Sequence, residues 1–263
     1  MSSPATENPF AAPATDAAQS PFYRVDIRRM TYRELRDCSP SDFAFAIQAL
    51  AKFLGLPFHF PFGFAHERAR VLELGEVSEQ LPGELEPLLS QCEAEGFARR
   101  FGFQVPLVGD QEGINVVLAN RPRTTLCSVI HSRVGKLQET VLVLVSRLSD
   151  GRILGTTNSK PRLLAPPGFE RVHRVDATAA ELIQFHAERL NKLARVTVVE
   201  LDDVAQRQLL LDNAERIFAF HRARGVWVPM NEPEVRRLRA PQPPEPPEPP
   251  APPEPPPAPR AAH

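Results

Sequence analysis

The stretch from Phe43 to Phe64 limits what this chain can become more than any other. It carries Phe43, Phe45, Ile47, Leu50, Phe53, Leu54 and Leu56, and then the row FHFPFGF. A helix that crosses a bilayer needs about 20 continuous apolar residues. Here Gly55 supplies a helix stop, Pro57 stands just beyond it, and Pro61 excludes helix through the row. Gln48, Lys52 and His59 would add cost inside lipid. The expectation is a helix over about 40–54 followed by extended chain, and no membrane span.

In extended chain, a side-chain period of two places Phe58, Phe60, Phe62 and Phe64 on one side. Two destinations fit such a row. As core, each ring would bury roughly 150–250 Å², and the four together would contribute on the order of 15 kcal/mol before entropy is counted. As a membrane or partner surface, the row and the preceding helix would lie flat in the interface. Arg24, Arg28, Arg29, Arg33 and Arg36 would then sit near acidic headgroups, diluted by Asp26, Glu34 and Asp37.

Both ends are expected to be disordered. Residues 1–20 are Ala, Pro, Ser, Thr and Asn with little to bury. Residues 241–259 hold 13 prolines in 19 positions, a composition that favours polyproline II. At ~3.1 Å per residue it would serve as a spacer, or as a docking segment for a protein partner with an aromatic-lined groove. One domain over 21–230 lies between, with 231–263 as the proline-rich tail.

Net charge is −1, from 31 basic and 32 acidic residues. No global field favours nucleic acid, and none is expected as a partner. Cys38, Cys92 and Cys127 match neither a disulfide framework nor paired zinc spacings. With an N-terminus that lacks a basic start and an apolar run, this points to a cytoplasmic protein, or one peripheral at the inner membrane.

Capping chemistry marks the helices. Thr31 with Glu34 reads as a capping box, and Ser39-Pro40 with Asp42 as a second start. Further helices are expected over about 83–95, 177–194 and 201–223, within a helical section 31–98 and a final pair 177–223. Short β-rich runs fill 101–175, separated by turn residues such as Arg121-Pro122 and Asp150-Gly151. Val141 to Val145 is apolar on both faces, so its strand should be central. The fold class read from this order is α+β: a curled antiparallel meander of about five or six strands, packed on one face by N-terminal and two C-terminal helices.

Site chemistry is sparse. No Gly-rich phosphate fingerprint, Gly-x-Ser-x-Gly or His-Glu-x-x-His occurs. No catalytic residue, metal site or cofactor is assigned. His186 and His221 stand on apolar helical stripes and would meet at one end if their helices were antiparallel neighbours. Cys127 and His131 share a strand face but lie roughly 13 Å apart along it, too far for a thiolate–imidazole pair.

Three functions stay open. The first is a non-catalytic interaction module with its proline tail as spacer or docking segment. The second is a small-ligand binder or enzyme using a cavity between the sheet and the C-terminal helices, with His131, His173, His186 and Asn158 as candidate ligand-binding residues. The third is a peripheral membrane protein held through residues 40–65.

Overall fold

Residues 97–157 hold four long strands and, across an Asp-Gly turn, a fifth. A computed structural model describes residues 22–56, 64–65, 70–106, 112–134, 137–193 and 196–239. In chain order the elements begin with β1 (Phe22–Val25), α1 (Tyr32–Cys38), α2 (Asp42–Phe53), β2 (Phe64–Ala65), β3 (Arg70–Leu72), α3 (Leu74–Gln80) and α4 (Glu86–Ala94). Then come β4 (Phe97–Pro106), β5 (Glu112–Asn120), β6 (Leu126–Val134), β7 (Leu137–Arg147), β8 (Ile153–Thr157) and β9 (Phe169–His173). The chain closes with α5 (Ala179–Asn191), α6 (Asp203–Ala223), β10 (Trp227–Pro229) and α7 (Glu232–Arg239). Ordered helix thus continues past residue 230, and Val235 of α7 is buried with Phe22 and Met230.

The fold is mixed helix and sheet. A seven-stranded sheet runs β3-β4-β5-β6-β7-β8-β9, and a smaller one runs β10-β1-β2. Every pairing in the large sheet is antiparallel except β8 with β9, which is parallel. The expected all-antiparallel meander is corrected there. The connection after Thr157 is rich in proline, so it does not fold back as a hairpin. It crosses over and is held by Arg162 on Glu139 (2.6 and 2.7 Å) and by the Leu164 amide on Glu34 (2.9 Å).

Strand alternation gives the sheet two apolar faces, and helices cover both. Val116, Leu118, Val129, Leu142 and Leu144 pack with Val77 of α3, Leu89 of α4 and Leu182 of α5. Their neighbours one residue along, including Val117, Ala119, Leu126 and Val145, pack with Phe101, Phe103 and Leu209 of α6. The expectation of helices on one face is therefore wrong: α6 lies opposite α3, α4 and α5. A strand apolar on both faces demands cover on both.

Local signals explain the helix ends. The Thr31–Glu34 box caps α1 as expected, and a second box, Thr178 with Glu181, caps α5. Helix α2 starts two residues later than Ser39 implies. Ser41 is its cap, accepting from the Ala44 amide at 3.1 Å, while the Ser39 hydroxyl donates to the Leu35 carbonyl. At its other end Gly55 adopts φ +68°. The Leu56 amide reaches back to Ala51 and the Gly55 amide to Lys52, the double bond of a Schellman stop. Among the described residues no helix is long and apolar enough to cross a membrane. Phe58, Phe60 and Phe62, like residues 1–21 and the proline tail, lie outside the described residues. Phe64 pairs with Tyr23 through its backbone in β2.

Candidate ligand-binding cavity

The face of the sheet under α6 is assembled from cross-strand rows. Asn115, Ile130 and Val141 stand side by side on β5, β6 and β7. Ser128, Val143, Thr157 and His173 form the next row, from β6 to β9. Val145, Gly155 and Arg171 form a third. Over these rows α6 presents Leu210, Asn213, Ile217 and His221, and the space between is a cavity of about 570 Å³. Ligand pockets run from about 300 to 1,000 Å³.

Its walls are mainly aliphatic. Ile130, Val141 and Val143 are only half-buried although they sit mid-sheet, whereas Val129, Leu142 and Leu144 on the other face are 0% exposed. The helices α3, α4 and α5 close one face, while α6 leaves the other partly open.

The polar groups in this cavity fall into two sets. Glu139 is held by Arg162, and Glu170 by Arg152. Arg171, Asn213 and Ser128 make no side-chain hydrogen bond among the described residues, and the buried Asn115 Oδ1 has no partner. Arg171 remains accessible, yet the surrounding protein pushes its pKa below the ordinary arginine value. His221 is pushed down to about 4 by burial and by the charges of Arg224 and Arg171. It is neutral at pH 7.

Of the four residues singled out from the sequence, His173 lines this cavity, with its Nδ1 2.9 Å from the Ser159 carbonyl oxygen. His131 and His186 belong to the opposite face. His131 bonds Thr140 (3.0 Å) and approaches Glu84 (3.2 Å). His186 is locked between Ser146 (3.0 Å) and Thr156 (2.8 Å), and burial followed by the Arg189 charge lowers it to about 4. The sheet separates His186 from His221, so the two do not meet. Asn158 accepts from the Leu142 amide at 2.8 Å and ties the strand end.

Cys127 meets Cys92 of α4, Sγ to Sγ 3.7 Å, in the sealed core. Among the described residues no three metal-ligating side chains cluster. Arg171, Asn213, Ser128 and Asn115 were not legible as a group. Each stands alone in the sequence, and only the strand register and the parallel return of β9 bring them together.

A second surface is built by α2. Phe45, Ala49 and Ala51 pack inward beside Ile27, Leu35 and Trp227. Outward, Phe43, Ile47, Leu50 and Leu54 follow at steps of four, three and four, a helical stripe. Phe43 is 76% exposed and Phe53 78%. Beside it Arg29, Arg33 and Arg36 are exposed.

No protein-family model matches this chain, and no match is found among the curated proteins or the solved structures.

Proposed function

We propose that the chain is a non-catalytic binding module that holds a small, largely apolar ligand between its sheet and α6. The observation that carries this reading is the contrast across one sheet: Ile130, Val141 and Val143 keep open a face that their sealed neighbours show to be core-like. Apolar surface left wet at mid-sheet forgoes roughly 25 cal/mol per Å², which a ligand recovers on binding. Ser146 and His186, a Ser–His pair bonded side chain to side chain, are 1% and 2% exposed on the other face, away from the cavity.

The test is Val143→Trp, which fills the cavity from its floor. Isothermal titration calorimetry with 1-decanol should show binding to the wild type and at least a tenfold loss in the variant, with thermal unfolding little changed. Equal binding by both proteins would refute the cavity as the seat.

The α2 stripe favours a second reading, contact with an anionic membrane surface. Its apolar side chains face out, and exposed arginines flank them, Arg33 and Arg36 in long surface pairs with Asp37 and Asp42. Wild type should float with phosphatidylglycerol-containing liposomes, and Phe43→Asp or Phe53→Asp should abolish flotation. That reading fails if the wild type does not float or if all three float equally. A dimer in sedimentation that either substitution dissolves would assign the stripe to self-association instead.

A further inference from the structure

The cavity reading leaves open which ligand. Its uncommitted cation points to an answer. Among the charged groups that line it, Glu139 and Glu170 are each neutralised by an arginine, Arg162 and Arg152. Arg162 is thereby spent as well. His221 is neutral, which leaves two cations on the lining, Lys160 and Arg171, both at exposed positions.

Arg171 is an unusual arginine. Among the described residues its side chain makes no ion pair and no hydrogen bond. Its charge is felt by His221 across the cavity. It is placed by β9, in register with Gly155 of β8 and beside it, its Cγ 3.8 Å from where a Cβ of that residue would stand. A guanidinium cannot shed its proton in a protein and offers five donors in a planar fork. That of Arg171 stands exposed at the mouth of the cavity, so its donors are open to a ligand.

We propose, resting on the cavity reading, that Arg171 anchors the acidic group of the ligand, and that the ligand is a small organic acid with an apolar body. The carboxylate takes the two parallel N–H groups of Arg171. The body lies along Ile130, Val141 and Val143 under Ile217. A phosphate monoester, carrying nearly two charges, calls for a second cation beside the first. The other cation left on the lining, Lys160, lies off the Val145–Gly155–Arg171 row that carries the anchor.

Calorimetric titration of the full chain near neutral pH with decanoate and with 1-decanol, which share their apolar body, tests this. The wild type should prefer decanoate by on the order of ten- to hundredfold, the usual worth of a charge-assisted bond. Arg171→Met should bring decanoate down to the decanol affinity and leave decanol unchanged. Arg171→Lys should keep part of the preference. Arg121→Met, an exposed cation in a distant turn, should behave as wild type.

If the wild type binds both probes equally, or Arg171→Met keeps the preference, the anchor is wrong and the cavity stands. If neither probe binds the wild type, the cavity reading falls and the anchor with it. The wild-type comparison decides even if a variant misfolds.

Discussion

Replacing Arg224 by methionine should lower the free energy of unfolding by about 3–5 kcal/mol, a large part of the 5–15 kcal/mol that a domain of this size commands. The reason lies in Glu34, whose side chain is 1% exposed. Its two oxygens receive four donors: Arg224 Nη1 at 2.7 Å and Nη2 at 2.6 Å, the Leu164 amide at 2.9 Å and the Thr31 amide at 2.8 Å. One carboxylate thus joins the start of α1, the crossover before β9 and the end of α6. Burial alone would raise its pKa, but these donors hold it down at about 2. Removing Arg224 leaves a buried charge uncompensated. The double variant Glu34→Leu, Arg224→Met should recover only part of the loss, because the Thr31 and Leu164 amides would then be orphaned. Urea denaturation followed by circular dichroism measures both. A single-variant loss below about 1 kcal/mol would show that the pair carries little.

Acid should weaken the fold well before its carboxylates titrate. His186 and His221 have folded-state pKa values of about 4 against an ordinary 6.5, chiefly from burial. Both are 2% exposed. A depressed folded pKa means that the unfolded chain binds the proton first. The stability from each imidazole is therefore complete above about pH 6.5 and is lost as pH falls toward 4, about 3 kcal/mol apiece. Glu34 adds a second loss on the same side, beginning below about pH 4.5 and continuing through its folded value of about 2. Denaturation curves at about pH 7.5 and pH 4.5 should differ by several kcal/mol. The ring signals of both histidines should stay neutral in the folded protein down to about pH 5. An imidazole of either residue titrating near 6.5 in folded protein would contradict the assignment.

What could be read from the residues was local. Thr31 with Glu34, Gly55 and the Asp150-Gly151 turn act within a few positions, so their structures follow from their own chemistry. The β-rich runs from Phe101 to Thr157 fell where strands formed, because turns punctuate them. The direction of β9 did not follow. Pro161, Pro166 and Pro167 mark a loop without stating whether the chain returns beside β8 parallel or antiparallel.

The same gap hid the site. Val141 to Val145 announces cover on both faces, but how completely α6 supplies it depends on helix position over the sheet. Histidines drew attention for their chemistry, and His131 and His186 proved to bond within the other face. Arg171 drew none, because an exposed arginine on a short edge strand is commonplace until the register sets it beside Gly155 and its charge within reach of His221.

The cavity is tested most directly by methyl-detected NMR of the chain with 1-decanol, locating the protons that contact the probe. Contacts should come from Ile130, Val141, Val143 and Ile217, with none from Val129, Leu142 or Leu144. Contacts confined to Ile47, Leu50 and Leu54 of α2, or absent from the face beneath α6, would contradict the assignment of that face as the ligand seat.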